Sequence, residues 1–132
     1  MAIRPTPEQI QELMDGPADT PVVMVNLLTF KHQATDDDAG VSGQEAYGRY
    51  ATEMRTFVES KGGRFIWSGR VDSVVIGGSD DDFHVIALVE YPSRAAFLEI
   101  AGSDHVAKIG EHRAAGLESQ WLIATTESRV GG

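Results

Sequence analysis

Apolar positions along the chain follow two periods, and each change of period marks the end of an element. Ile10, Leu13 and Met14 recur at helical spacing behind Thr6-Pro7-Glu8, which predicts a short helix over 6–14 with Thr6 as N-cap and Pro7 at its first position. Asp15-Gly16-Pro17 stops it. Pro21 to Phe30 is the densest β-branched run and predicts a strand, with Met24, Asn26 and Leu28 on one face and Val23, Val25 and Leu27 on the other. From Gln44 to Ser60 the apolar residues Tyr47, Tyr50, Ala51, Met54, Phe57 and Val58 lie three and four apart. They predict an amphipathic helix capped by Ser42 and ended by Lys61-Gly62-Gly63.

The second half repeats the alternation. Arg64 to Gly77 predicts a long strand with a bulge at Gly69, and Phe83 to Tyr91 returns from a turn at 78–82 as its hairpin partner. Pro92-Ser93 opens a helix over Arg94–Ala101 with Ala96, Phe97 and Ile100 as its stripe; a further helix is predicted over Asp104–Ala114 and a last strand over Glu118–Thr126. Residues 127–132 are expected to fray. Lys31 to Gly43 reads as a mobile polar loop with an acidic tip, Asp36-Asp37-Asp38. A calcium loop would need a bidentate Glu at its twelfth position, and counting from Asp36 that position is Tyr47.

Strand, helix, hairpin, helix, strand is the split βαβ, or ferredoxin-like, order of an α+β protein: a four-stranded antiparallel sheet with both helices on one face, here with an extra N-terminal helix. The other face is left open. If Val23, Val25 and Leu27 point to the helices, that open face carries Met24, Asn26 and Leu28, which is too apolar for water. A second copy pairing sheet to sheet would cover it, and a cavity under the partner's sheet would give the amide of Asn26 its partner.

Composition narrows the partners. The 132 residues make one domain with its core in 21–126, and 42% hydrophobic content suffices for it. A net charge of −9, without a basic cluster, argues against nucleic acid. The absence of cysteine removes disulfides, thiolate nucleophiles and Cys-based metal sites. No apolar run is long enough to cross a bilayer and no signal core precedes the fold, so the expected location is the cytoplasm.

Candidate chemistry is sparse. Asn26 would polarise a ligand oxygen, or pair with a neighbouring strand. His112 would move a proton, with Arg113 beside it as an anion-binding guanidinium, although a lone histidine is as well explained structurally. His105, two helical turns earlier, would share that face. Trp67 and Tyr50 would shape a pocket for a flat ligand, or serve as core and interface aromatics. Arg94 would pair with Glu90 or a substrate carboxylate. His32 and His84 read as exposed. Two histidines without a third ligand complete no metal site, and no phosphate loop or nucleophile elbow is present. No cofactor is expected.

Pro-Val-Val-Met-Val-Asn-Leu-Leu-Thr-Phe-Lys at 21–31, Tyr-Gly-Arg-Tyr at 47–50, Gly-Gly-Arg at 62–64 and Glu-Tyr-Pro-Ser-Arg-Ala-Ala-Phe at 90–97 together resemble the bacterial domain-of-unknown-function family thirteen-thirty. The resemblance spans Pro21 to Thr126. It implies the dimeric α+β barrel superfamily, in which two ferredoxin-like units close their sheets face to face, and it implies no activity. Relatives in that superfamily include cofactor-free monooxygenases, haem-binding and haem-degrading enzymes, and small isomerases. Asn26, Trp67, His105 and His112 are similar in type to the asparagine, tryptophan and histidine of the haem-degrading group, but their spacing gives no residue-by-residue match. The expectations are therefore a small-molecule-binding protein or enzyme, as a cofactor-independent oxygenase or isomerase. The alternatives are a non-enzymatic dimeric module binding a metabolite or a protein, and haem binding.

Overall fold

The structure, a computed structural model, describes residues 3–78 and 82–128. Its elements are α1 (Pro7–Met14), β1 (Val22–Phe30), α2 (Gly43–Ser60), β2 (Arg64–Arg70), β3 (Val85–Tyr91), α3 (Arg94–Ala101), α4 (Asp104–Gly116) and β4 (Leu117–Thr125). The strands form one antiparallel sheet in the order β2-β3-β1-β4, with β1 and β3 in the middle. This is the ferredoxin-like arrangement that the element order predicts.

Local chemistry sets the ends. Thr6 accepts the Gln9 N–H while the Gln9 side chain returns to the Thr6 N–H, a complete capping box before α1. Ser42, Ser93 and Ser103 each accept a hydrogen bond from the third residue of the helix that follows. Gly62, at φ 90°, turns the chain out of α2. The β2 strand is shorter than predicted, because its last bond toward the turn is Val71 N–H to His84 C=O. Its bulge lies between Phe65 and Trp67 rather than at Gly69. Beyond it Val74, Val75 and Ile76 are exposed. Most of the turn predicted at 78–82 and of the fraying tail at 127–132 lies outside the described residues.

The register of β1 corrects a central expectation. Val22, Met24, Leu28 and Phe30 are the buried positions, and they pack against the helices; Asn26 shares their parity. The main core joins Val22, Met24, Val89 and Tyr91 of the sheet to Met54 and Val58 of α2, Ile100 of α3 and Ile109 of α4. A smaller cluster joins Leu28, Phe30 and Leu117, with Ile3, Tyr47 and Val85 packed on it. Val23, Val25 and Leu27 point to the open face instead, beside their register partners Leu88 and Ile86 on β3 and Ile123 and Trp121 on β4. Asn26 therefore faces the helices, and a pocket for it under a partner's sheet is ruled out.

The loop expected to be mobile is also built into the fold. Residues 36–38 form a 3₁₀ turn, Gln33 bridges to Ser42, and Asp38 is buried. At its two ends Lys31 N–H bonds Gly116 C=O at 2.8 Å and Gly43 N–H bonds Lys31 C=O at 3.1 Å. Around that junction there is no room for a side chain: a Cβ on Gly116 would lie 2.3 Å from the carbonyl oxygen of Gly43, and one on Gly43 would lie 2.1 Å from that of Lys31.

Candidate functional site

A line of polar side chains crosses the helix-facing side of the sheet. Arg113, near the end of α4, donates to Oε1 of Gln120 through Nη2 at 2.7 Å and Nε at 3.2 Å. Gln120 Nε2 donates to Asn26 Oδ1 at 2.8 Å, and Asn26 Nδ2 donates to the carbonyls of Ala87 at 3.2 Å and Met24 at 3.4 Å. The donors all run one way, from a guanidinium to a backbone oxygen, so each bond polarises the next and the amide orientations are determined. Among the described residues, Arg113 Nη2 has one further acceptor, the carbonyl of Ile3.

The surroundings of Arg113 are unusual for a cation. Burial pushes its proton affinity down; Tyr50 and Tyr47 offset this in part, and the positive charge of Arg4 adds to it. Both of its hydrogen-bond partners among the described residues are neutral oxygens, and no carboxylate pairs with it there. Tyr47 and Tyr50 have ring centroids 5.4 Å apart, and burial raises both phenols above their ordinary value, so each hydroxyl stays protonated. Arg113, Tyr47 and Tyr50 thus offer donors to an oxygen that bears negative charge.

A second polar group lies on the neighbouring residue. His112 Nδ1 is 2.7 Å from Asp38 Oδ2, and the other carboxylate oxygen of Asp38 pairs with Arg49. The hydrogen bond from His112, helped by Arg49 and opposed by burial, holds the Asp38 carboxyl below its usual range. Asp38 is thus ionised near neutrality, which makes His112 Nδ1 the donor to it and turns Nε2 away from the pair, on a side chain that is 38% exposed.

The structure brings together some of the sequence-predicted residues and separates others. Asn26 and Arg113 share the polar line, Tyr50 stands beside it, and His112 adjoins it on α4. Trp67 does not join them: it is 57% exposed on the open face of the sheet, its ring folded against Gly69. His105 is exposed in the first turn of α4, its ring 4.6 Å from that of Phe57. Arg94 pairs neither with Glu90, which Arg64 takes at 2.9 Å, nor with another acid among the described residues. It is buried and donates to Pro17 C=O and Thr126 Oγ1. His84, expected to be uninformative, accepts the Phe30 N–H on Nδ1 at 3.0 Å.

Gln120 and Asp38 were missed. Gln120 is the one amide in the last strand and directly precedes its apolar run Trp121–Ala124, a signal weaker than that of Asn26 because Glu118 and Ser119 stand beside it, while nothing in Asp36-Asp37-Asp38 distinguishes the buried carboxylate from its neighbours. Two surface clefts, of about 260 Å³ between α2 and α3 and about 410 Å³ beside Phe30, His32, Ser42 and His84, are lined by none of the predicted site residues.

The profile of the family described as Domain of unknown function (DUF1330) matches residues 38–126, more than half of the chain. The chain belongs to the DUF1330 family. A protein of unknown function from Rhodopseudomonas palustris is 29% identical to this DUF1330 chain, with a TM-score of 0.86 over 97% of this chain and 98% of that one. A methylated form of the same protein gives 0.87 over 99% and 98%, again at 29% identity. A dabb family protein with a ferredoxin-like fold from Mesorhizobium loti gives 0.56 at 15% identity, over 83% of this chain and 98% of that one, and shares the fold alone. No curated protein matches. Among the described residues, no helix of this DUF1330 chain is long and apolar enough to cross a membrane, and no group of three metal-ligating side chains occurs.

Proposed function

We propose that this DUF1330 chain is a dimeric module that binds a small, flat, partly polar organic molecule between the sheet and its own helices. One observation carries the reading: the guanidinium of Arg113 is set against the interior with neutral oxygens for partners. Withdrawing a cation even partly from water without a counter-ion is unfavourable, and a chain that needed only packing would be served better by an apolar residue. Asn26 supports this site from behind, through Gln120, rather than touching a ligand itself. Its bonds to the backbone of β1 and β3 favour a positioning role over a catalytic one for that residue.

The test is a thermal-shift screen of flat compounds bearing a hydroxyl or a carbonyl. A binder present at 100 times its Kd raises stability by about 2.7 kcal/mol. Arg113→Gln should remove the shift while the variant retains its fold by circular dichroism; an unchanged shift in that variant would reject the site.

The Asp38–His112 pair favours a second reading, a proton-transfer isomerase or cofactor-independent oxygenase with His112 Nε2 as general base. An Asn at 112 retains a donor for Asp38 but has no basic nitrogen. Exchange of a bound ligand's acidic proton with solvent deuterium should fall by a factor of about 100 or more in His112→Asn, with affinity unchanged. Exchange at the wild-type rate would leave only the binding function.

A further inference from the structure

We propose that the Arg113 site takes an organic anion, whose carboxylate displaces the carbonyl of Ile3 from the guanidinium. This rests on the reading that the interior polar line is a binding site, and adds to it the ligand's charge and its route of entry. The two acceptors of Arg113 are unequal. Gln120 belongs to β4 and is held from behind by Asn26. Ile3 belongs to the short segment before the Thr6 cap, outside any helix or strand.

Ile3 packs on Leu28, Phe30 and Leu117, next to Tyr47 and Val85, and turns its carbonyl to Arg113. The segment thus presents an apolar body and one oxygen, in the place where a ligand with an apolar body and one acidic group would sit. A carboxylate is the better partner for a guanidinium, since it carries charge and accepts two N–H groups in a fork. Arg4, the next residue, adds a second positive charge that Arg113 feels. Two cations gathered on one spot, in a chain of net charge −9, concentrate anions there. Arg113 lines neither surface cleft, and departure of the 3–5 segment vacates the volume filled by the Ile3 side chain, beside the guanidinium that its carbonyl leaves. An aromatic or short branched carboxylate has that shape.

The probes are benzoate and its neutral isostere benzamide, titrated into the full ¹⁵N-labelled chain while the side-chain N–H signals of Arg113, Gln120 and Asn26 are followed. Benzoate should move all three, and benzamide at the same concentration should not. Ile3→Gly weakens the competing segment but keeps Arg4, and should tighten benzoate about tenfold. If Ile3→Gly proves unstable, Ile3→Ala should act in the same direction with smaller amplitude. Arg4→Gln should weaken benzoate by a factor of about two to five. Equal responses to the two probes would overturn the anion and leave the binding site standing. Benzoate affinity unchanged in Ile3→Gly would overturn the displacement. Silence toward both probes would overturn the proposal and the underlying site together.

Discussion

At the scale of single residues, the sharpest contrast is between two carboxylates two positions apart in sequence but differently placed in the structure, Asp36 and Asp38. Asp36 sits at φ 56°, a left-handed conformation that an aspartate tolerates better than most residues, and it starts the 3₁₀ turn that carries Asp38 inward. Asp38 is 4% exposed and joins His112 on α4 to Arg49 on α2. Its carboxyl is held below the ordinary value in the folded chain, so it contributes stability above the ordinary carboxylate pKa, and that stability is lost as pH falls through the lowered value. Asp38→Asn should therefore cost about 1–3 kcal/mol at pH 7, and the cost should shrink in acid. Urea denaturation of both proteins at pH 7 and pH 3 measures it; a pH-independent difference would mean that shape, not charge, holds the loop.

Among the elements, α2 and α4 meet so closely that their backbones touch at Gly43 and Gly116. A methyl at Gly116 would meet two backbone atoms, Gly43 O at 2.3 Å and Tyr47 N at 2.8 Å, neither of which can rotate away. Gly110 lies six residues earlier in the same helix with nothing within 4 Å. Gly116→Ala should destabilise by about 1–3 kcal/mol, whereas Gly110→Ala should stabilise by about 0.5–1 kcal/mol. Thermal midpoints with opposite signs within one helix would verify the close approach, and equal small shifts would contradict it.

The elements themselves were legible in the sequence, because caps such as Thr6 and Ser42 and the spacing from Tyr47 to Val58 report local physics. The orientation of β1 was not. Both of its faces are apolar, Val22, Met24, Leu28 and Phe30 against Val23, Val25 and Leu27, so alternation had two equal solutions. A lone amide ordinarily marks the wetter face, yet the partner of Asn26, Gln120, lies 94 residues away and no local pattern supplies it. The pairing of Arg113 with the Ile3 carbonyl is longer in range still, which is why the candidate site reached the sequence reading only as separate residues.

At the scale of the whole molecule, the open face of the sheet is what one chain leaves unfinished. Val23, Val25, Leu27, Ile86 and Leu88 lie on it in the two central strands, flanked by Trp67, Trp121 and Ile123 at 57%, 49% and 42% exposure. Phe83 packs edge-on against Trp121 and extends the apolar surface past the end of β1. A face of this kind in water favours pairing with a second copy, as the sheet-to-sheet dimer expects. Light scattering at micromolar concentration should return twice the 14.3 kDa chain mass, and Trp121→Arg should return the single mass with its fold intact. A monomeric wild type would remove the dimer without touching the Arg113 site, which lies on the opposite face.

The junction at Lys31, Gly43 and Gly116 has a meaning for how this chain tolerates change. Because Gly43 N–H bonds the carbonyl of Lys31, the segment from 32 to 42 starts and finishes at one point. Residues added beyond Asp38 are then free of the geometry of sheet and helices, since an excursion that finishes at that bond leaves β1 and α2 where they are. Gly40, exposed and with open space around it, is the natural place to lengthen the excursion or to graft a peptide. Shortening it is a different matter, because the first thing removed is the carboxylate that ties His112 to Arg49.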